Sequence, residues 1–150
     1  MAGFQKILWP TDFSGQAERA LPYVQSLVEK YNTEVHVLYV IEDIAHHKGW
    51  YGEFEKDRIQ KIVQWEEKTA KERLDQICSK YLEGCPLYIK HVSIGDPAQE
   101  ILTVAEKEGV DAIVMASRGE KSHFGFGSVA DKVVRNASVP VITVPQESGA

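Results

Sequence analysis

Short apolar segments with strand character alternate with segments of helical period along nearly the whole of this 150-residue chain. Five of the apolar segments are predicted to be strands: Phe4–Pro10, Glu34–Ile41, Leu87–Val92, Asp111–Met115 and Val141–Val144. Runs that stay apolar on both faces are typical of strands inside a parallel sheet. Because crossovers between parallel strands are right-handed, we expect helices on both faces of the sheet. The alternation therefore predicts a single α/β domain over residues 1–150, with an open, doubly wound sheet of five parallel strands.

The first predicted helix combines a favourable start with a residue that helix interiors rarely tolerate. Ser14 is a good N-cap, and apolar residues follow it at helical spacing as far as Tyr31. Pro22 lies inside this pattern, where it removes a backbone donor and clashes with the preceding turn. We therefore expect one helix from Ser14 to Tyr31, which Pro22 either destabilises or kinks.

Three further helices are predicted from apolar spacing and from capping residues. They begin at Asp57, at Asp96 and at Ser128, and the last two of these residues are expected to be N-caps. Gly84 and Gly109 follow the last apolar positions of the first two, as is usual for glycines that end helices. Each of the four predicted helices thus connects one predicted strand to the next.

The longest segment without a regular period is Glu42–Lys56, which precedes the second helix. Its histidines, His46 and His47, are expected to be solvated, because adjacent residues do not share a helix face. Its aromatic residues Trp50 and Tyr51 have two interpretations, which are stacking on a bound ring and packing against the protein itself.

The charge balance and the distribution of apolar residues exclude several classes of protein. The 22 acidic and 17 basic residues leave a net charge of −5, which argues against a surface for nucleic acid. No apolar run reaches the roughly 18 residues of a transmembrane helix, so no membrane partner is expected. Met1–Trp9 lacks the apolar core of a secretory signal. Cys78 and Cys85 are too few for a disulfide framework and are expected to be buried thiols of a cytoplasmic protein.

Two segments stand where an open α/β sheet normally binds its ligand. Such sheets bind ligands beyond the carboxyl ends of their strands, at the point where the strand order reverses. Pro10–Ser14 follows the first predicted strand, and Ala116–Ser128 follows the fourth. If these two strands are neighbours, Asp12 and the second segment come together at one edge of the sheet.

The segment after the fourth strand has the features of an anion site. Gly119 and Gly127 lack a Cβ, so the backbone could approach a ligand closely. The segment leads into a helix N-terminus, which favours phosphate, while Ser117, Arg118 and Ser128 add donors. A tight turn and a helix cap require the same residue types, so a purely structural loop is the alternative.

Asp12 has a functional interpretation and a structural one. A carboxylate at a strand end could accept hydrogen bonds from the hydroxyls of a ribose or bind a divalent cation. The same residue could instead bond its own backbone in a turn before a helix. The position at the end of a buried strand favours the functional interpretation.

Six segments carry a resemblance to a known family, and they occur in the family's order. They are Ile7–Ser14, Tyr39–Ile41, Gly95–Pro97, Gly109–Met115, Gly127–Val134 and Val139–Val144. Together they make the chain resemble the universal stress proteins from Lys6 to Pro145. The resemblance implies a fold of the adenine-nucleotide-α-hydrolase type and a homodimer formed through Val141–Val144. It also implies a choice between two branches of the family, of which one binds ATP and the other does not.

The resemblance implies a set of nucleotide-binding residues, with Asp12 on the ribose and the backbone of Val40 on the adenine. The full set is Pro10, Thr11, Asp12, Val40, Met115, Ser117, Arg118, Gly119, Gly127, Ser128 and Val129. The implied ligand is ATP, or AMP or ADP in its place, with or without Mg²⁺.

The phosphate-binding part departs from the ATP-binding pattern G-x2-G-x9-G-[ST] at two points. Ala116 stands at the first glycine, and the seven residues Glu120–Phe126 separate Gly119 from Gly127 in place of nine. A nucleotide-responsive homodimer is the leading hypothesis, and a protein-interaction module of the branch without ATP is the alternative. No catalytic constellation is recognised. A weak ATPase, or a phosphoacceptor that uses Asp12, would be the enzymatic alternative.

Overall fold

A parallel β-sheet forms the centre of the structure. The computed structural model describes residues 3–41, 55–81, 88–117 and 127–145, without the side chains of 55–59 and 81. Its strands are β1 (Lys6–Pro10), β2 (Glu34–Ile41), β3 (Tyr88–Ile94), β4 (Ala112–Ala116) and β5 (Val141–Val144). They form one five-stranded sheet in the order β3-β2-β1-β4-β5, and every neighbouring pair is parallel. The predicted parallel sheet is therefore confirmed.

The strand order reverses between β1 and β4, because β2 and β3 lie on one side of this pair and β5 lies on the other. Asp111 ties the two strands together at their starts. Its carboxylate accepts the backbone N–H groups of Gln5 at 3.0 Å and of Lys6 at 2.9 Å. Asp111 was predicted to lie within the fourth strand, but it precedes β4, where its side chain aligns β1.

Five helices connect or flank these strands in the described residues. They are α1 (Gly15–Glu18), α2 (Leu21–Tyr31), α3 (Glu55–Tyr81), α4 (Pro97–Glu108) and α5 (Ser128–Asn136). None of the helices in the described ranges is both long enough and apolar enough to cross a membrane.

The prediction of one helix over Ser14–Tyr31 is wrong. Ser14 does cap a helix, and its hydroxyl accepts the N–H of Ala17 at 3.1 Å, but that helix is the four-residue α1. A second helix, α2, begins at Leu21 and places Pro22 in its first turn. Proline is tolerated there because the N–H groups of a first turn have no partner within the helix. The chain therefore avoids the kink by starting a new helix.

Two other predicted starts are displaced for local reasons. Gly127, and not Ser128, is the N-cap of α5, so no side chain caps this helix and the expected capping box is absent. Helix α3 begins at Glu55, inside the segment predicted to be irregular. By contrast, Asp96 caps α4 as predicted, and its carboxylate accepts the N–H of Gln99 at 3.1 Å.

Helices cover both faces of the sheet and create two apolar cores. On one face, α2 and α3 pack against odd-numbered residues of β1 and β2. The buried residues of this core, from strands and helices together, include Ile7, Trp9, Val24, Val37, Leu74 and Cys78. On the other face, α4 and α5 pack against the alternate residues; the buried members include Leu8, Leu38, Ile101, Ile113 and Val133. The doubly wound arrangement and the burial of the Cys78 thiol are confirmed.

Candidate functional site

The carboxyl ends of β1, β2 and β4 meet at the reversal of the strand order. The segment after β1 is tied to β2, because the backbone N–H of Thr11 donates to the carbonyl of Leu38 at 2.8 Å. Pro10 faces Leu38 in the register of these strands. Asp12 lies two residues beyond the end of β1, and Val40 lies next to the end of β2, so both stand at the carboxyl ends of these neighbouring strands.

The segment after β4 begins at the same edge of the sheet, on the other side of β1. Leu8 faces Ile113 in the parallel register of β1 and β4. Ser117 directly follows β4, and its N–H donates to the carbonyl of Val144 at 2.9 Å. The expectation that Asp12 and the start of the glycine-containing segment share one edge of the sheet is met.

A tight turn orients the carboxylate of Asp12. Its Oδ1 accepts the N–H of Ser14 at 2.9 Å, and the Oγ1 of Thr11 accepts the N–H of Phe13 at 3.0 Å. Thr11 is buried, whereas Asp12 is exposed. The turn interpretation of Asp12 is thus correct, but it does not exclude a ligand, because a carboxylate has about four acceptor positions.

Arg73 and Phe13 are in contact at this site, a contact that no sequence pattern indicated, although Phe13 lies within the segment Pro10–Ser14. Phe13 has a φ of 64°, which is uncommon for a residue with a side chain. Its ring packs against that of Tyr39, with centroids 4.4 Å apart. The guanidinium carbon of Arg73, on α3, lies 4.3 Å from the centroid of the Phe13 ring. These contacts hold the turn in place and bring a positive charge from α3 to the edge of the sheet.

The two ends of the segment 118–126 are joined by a hydrogen bond. The N–H of Gly127 donates to the carbonyl of Ser117 at 2.7 Å, and both residues are buried. Ser128 is exposed at the first position of α5. The chain therefore enters the segment at the end of β4 and leaves it at a helix N-terminus, as the anion-site hypothesis requires.

The remaining predicted residues divide into three groups. Val40 and Val129 are half-buried against the apolar core on the α4 side, and Met115 is a buried member of that core. Pro10 is buried at the end of β1. Some predicted residues lie outside the described residues: Arg118, Gly119, Gly84, Cys85, His46, His47, Trp50 and Tyr51.

The chain also matches a known protein family over nearly its whole length. The profile described as "Universal stress protein family" matches residues 3–145. The chain belongs to the universal stress protein family. Universal stress protein MJ0577 of Methanocaldococcus jannaschii is 32% identical to it over 162 aligned residues, which cover 97% of each chain.

Solved structures of universal stress proteins share the fold. The structure of MJ0577 matches with a TM-score of 0.83 and 31% identity, over 97% of this chain and 99% of that chain. A universal stress protein from Archaeoglobus fulgidus, solved in complex with dAMP, matches with a TM-score of 0.65 and 23% identity, over 95% and 98%. A third, solved in complex with cAMP, matches with a TM-score of 0.59 and 18% identity, over 95% and 98%. At their low identities, the last two show a shared fold.

Proposed function

We propose that this chain binds an adenine nucleotide at the carboxyl ends of β1, β2 and β4, and that it acts as a nucleotide-responsive homodimer in the cytoplasm. The ligand is ATP, or AMP or ADP in its place, with or without Mg²⁺. The observation that carries the proposal is that Asp12, Val40 and Ser117 stand at the carboxyl ends of the adjacent strands β1, β2 and β4, where the strand order reverses. Open α/β sheets bind their ligands at this point.

Each part of the site suits one part of a nucleotide. The exposed carboxylate of Asp12, already oriented by its turn, accepts the ribose hydroxyls. The backbone of Val40, at the end of β2, contacts the adenine. Thr11 and Pro10 form the floor beneath the nucleoside, and Met115 and Val129 support the site from the core.

The phosphates occupy the start of α5. Helix N-termini favour anions, because their first N–H groups have no partner within the helix. Gly127 and Ser128 stand at this terminus, and Ser117, Arg118 and Gly119 complete the set from the segment after β4. The dAMP and cAMP complexes of two proteins with the same fold support the choice of an adenine nucleotide.

A second function is a protein-interaction module without a nucleotide. It is favoured by the phosphate-binding segment, where Ala116 replaces a glycine and seven residues stand in place of nine. A methyl group at the end of β4 and a shorter segment would both change the donors around a triphosphate. In this second function the turn of Asp12 is purely structural.

The homodimer is proposed to form through β5. In the described part of the chain β5 pairs with β4 alone, so its other edge presents unpaired backbone groups. Val141 and Ile142 are half-buried within one chain. A second copy would bury these side chains and cover the edge. Bound nucleotide would then act by stabilising one state of the dimer over another.

Native mass spectrometry of the purified chain tests the ligand and the dimer together. We expect a dimer that either retains an adenine nucleotide or binds one when AMP, ADP or ATP is added with Mg²⁺. A dimer that takes up none of the three nucleotides would contradict nucleotide binding and favour the interaction module. A nucleotide-bound monomer would contradict the proposed dimer but support the proposed nucleotide binding.

Asp12→Ala is expected to weaken nucleotide binding by roughly 10-fold or more. It removes a charged acceptor from the ribose hydroxyls, a contact worth about 1.5–3 kcal/mol. Calorimetric titration with AMP, ADP and ATP measures the change for each nucleotide.

Asp12→Asn is the matched control, because its side-chain oxygen can still accept the N–H of Ser14 and preserve the turn. We expect this variant to lose affinity as well, since the negative charge is gone. If Asp12→Asn binds like the natural protein while Asp12→Ala does not, Asp12 acts through the turn, and its proposed ribose contact is wrong.

A further inference from the structure

A second polar cluster lies on the α4 side of the sheet, away from the proposed nucleotide site. His36 of β2, His91 of β3 and Glu108 of α4 each offer a ligand atom, and these atoms lie within 4.8 Å of one another. His36 is only 1% exposed, and the other two residues are half-buried. His36 precedes Val40 by four residues, which is about 13 Å along a strand. The two sites are therefore separate.

Glu34 determines which nitrogen of His36 carries the hydrogen. The Nε2 of His36 lies 2.7 Å from the Oε2 of Glu34. An ionised carboxylate is only an acceptor, so Nε2–H is the donor in this contact. With the hydrogen on Nε2, the Nδ1 of a neutral His36 is an acceptor. Histidines that bind metals typically donate their other N–H to a carboxylate in this way.

The acceptor Nδ1 of His36 faces a second imidazole. His36 Nδ1 lies 2.9 Å from His91 Nε2, and the two rings are within 17° of parallel, with centroids 5.2 Å apart. In this arrangement His91 Nε2–H donates to His36 Nδ1. If His91 carries its hydrogen on Nδ1 instead, two lone pairs converge on the same space.

Glu108 completes the cluster at a place where its charge is otherwise unfavourable. It is the last residue of α4, and the C-terminus of a helix disfavours a negative charge. Its carboxylate also offers an oxygen within 4.8 Å of the ligand nitrogens of His36 and His91. A cation held between Glu108 and the two histidines would balance this carboxylate.

We propose that His36, His91 and Glu108 bind a divalent transition-metal ion, of which zinc is the best fit. Glu34 would orient His36 by accepting the hydrogen bond from its Nε2–H. Two imidazoles and one carboxylate are a typical zinc ligand set, and a water molecule would take the fourth position. Two nitrogens on one tetrahedral zinc lie about 3.3 Å apart, given bonds of about 2.0–2.1 Å. The two nitrogens therefore need to separate by a few tenths of an ångström from their 2.9 Å contact, and both rings need to turn so that their lone pairs point at the ion. The carboxylate oxygen of Glu108, which lies within 4.8 Å of both nitrogens, needs to move closer to them.

Such an ion would join three elements that are distant along the chain. It would link β2, the edge strand β3 and the end of α4, and so stabilise this side of the sheet. An ion that binds the folded chain and not the unfolded one raises the melting temperature. The alternative is a hydrogen-bonded pair of histidines that serves only to satisfy buried nitrogens.

Calorimetric titration with Zn²⁺ of the full chain, freed of metal by a chelator, distinguishes these alternatives. We expect one zinc ion per chain, a higher melting temperature with zinc, and, with Co²⁺ as a probe, the visible spectrum of a tetrahedral site. His91→Ala should lower the zinc affinity by about 100-fold or more. Glu34→Gln should lower it by at least about 10-fold, the smallest effect expected for loss of a carboxylate that orients a ligand. Glu108→Gln, which removes the charge of a direct ligand, should lower it by at least as much.

Glu106→Gln is the matched control, because Glu106 lies on the same helix and is exposed. It should bind zinc like the natural protein. The proposal would be overturned by the finding that the natural chain takes up no zinc at micromolar concentrations. A His91→Ala variant with unchanged affinity would also overturn it, since the zinc would then be bound by other residues. His91 and Glu108 are chosen over the buried His36 because their half-exposed side chains put the fold at less risk.

Discussion

Trp9→Ala is expected to lower the free energy of unfolding by about 3–5 kcal/mol, the largest effect anticipated for any single substitution in this chain. Trp9 is fully buried in the core between the sheet and α2 and α3. Alanine would leave a large cavity at the centre of β1. At this chain length the loss corresponds to a fall in melting temperature of roughly 10 °C.

The same substitution also removes a hydrogen bond between the core and the segment that leads from the proposed nucleotide site. The indole N–H of Trp9 donates to the carbonyl of Ala17 at 3.2 Å, and Ala17 lies in α1, directly after the turn that orients Asp12. We therefore expect Trp9→Ala to weaken nucleotide binding in addition to stability. Trp9→Phe should lower the free energy of unfolding by about 1.5 kcal/mol or less, because phenylalanine keeps most of the ring volume. The carbonyl of Ala17 also keeps the hydrogen bond that it accepts from the N–H of Ala20.

Thermal and urea unfolding, followed by circular dichroism, measure these changes. Tryptophan fluorescence is less suitable, because the substitution removes Trp9, which is itself a fluorophore. Trp65→Ala is the matched control, because Trp65 is 67% exposed on α3. Its substitution should change the free energy of unfolding by no more than about 0.5 kcal/mol. Equal effects of Trp9→Ala and Trp65→Ala would contradict the position of β1 at the centre of the sheet.

Leu74→Ala is expected to lower the free energy of unfolding by about 2–5 kcal/mol. Leu74 is fully buried and lies between Ala70 and Cys78, which are buried one turn away on either side. These three residues form the stripe by which the described part of α3 packs on the sheet. Removing the middle and largest side chain leaves a cavity that its small neighbours cannot fill.

Ile62→Ala, in the same helix, is the control for Leu74→Ala. Ile62 is 48% exposed, so alanine there should change stability by no more than about 0.5 kcal/mol. Urea unfolding of the two variants compares the buried and exposed parts of α3 directly. If Ile62→Ala costs as much as Leu74→Ala, the exposed part of α3 is covered in solution, and the helix makes a contact beyond those of the single chain.

The strands and their carboxyl ends could be predicted because their signals are local. Apolar runs of strand length, separated by helical periods and capping residues such as Asp96, leave few alternatives to a parallel sheet. The boundary errors have local causes too. Pro22 is equally compatible with a kink and with a new first turn, and only the packing of α2 against β1 and β2 decides between them.

The site shows a different division between prediction and structure. Asp12 and Ser117 were predicted from their positions after strands, and the pairing of β1 with β4 brings these strand ends to one edge of the sheet. Arg73 and the contacts of Phe13 were missed, because a positive φ at phenylalanine and a contact between a turn and a distant helix leave no sequence pattern. His36, His91 and Glu108 were missed for the same reason, since they come from three elements with no characteristic spacing.

The five strands, their sequence along the chain and the alternation of strands with helices could be read from the amino-acid sequence. These properties depend on neighbours along the chain, which the sequence lists directly. Which side chains from distant elements meet, as Arg73 meets Phe13 and His36 meets His91, required the tertiary structure. Such contacts depend on strand register, sheet twist and helix packing together, because a shift of one residue moves a side chain to the opposite face of the sheet.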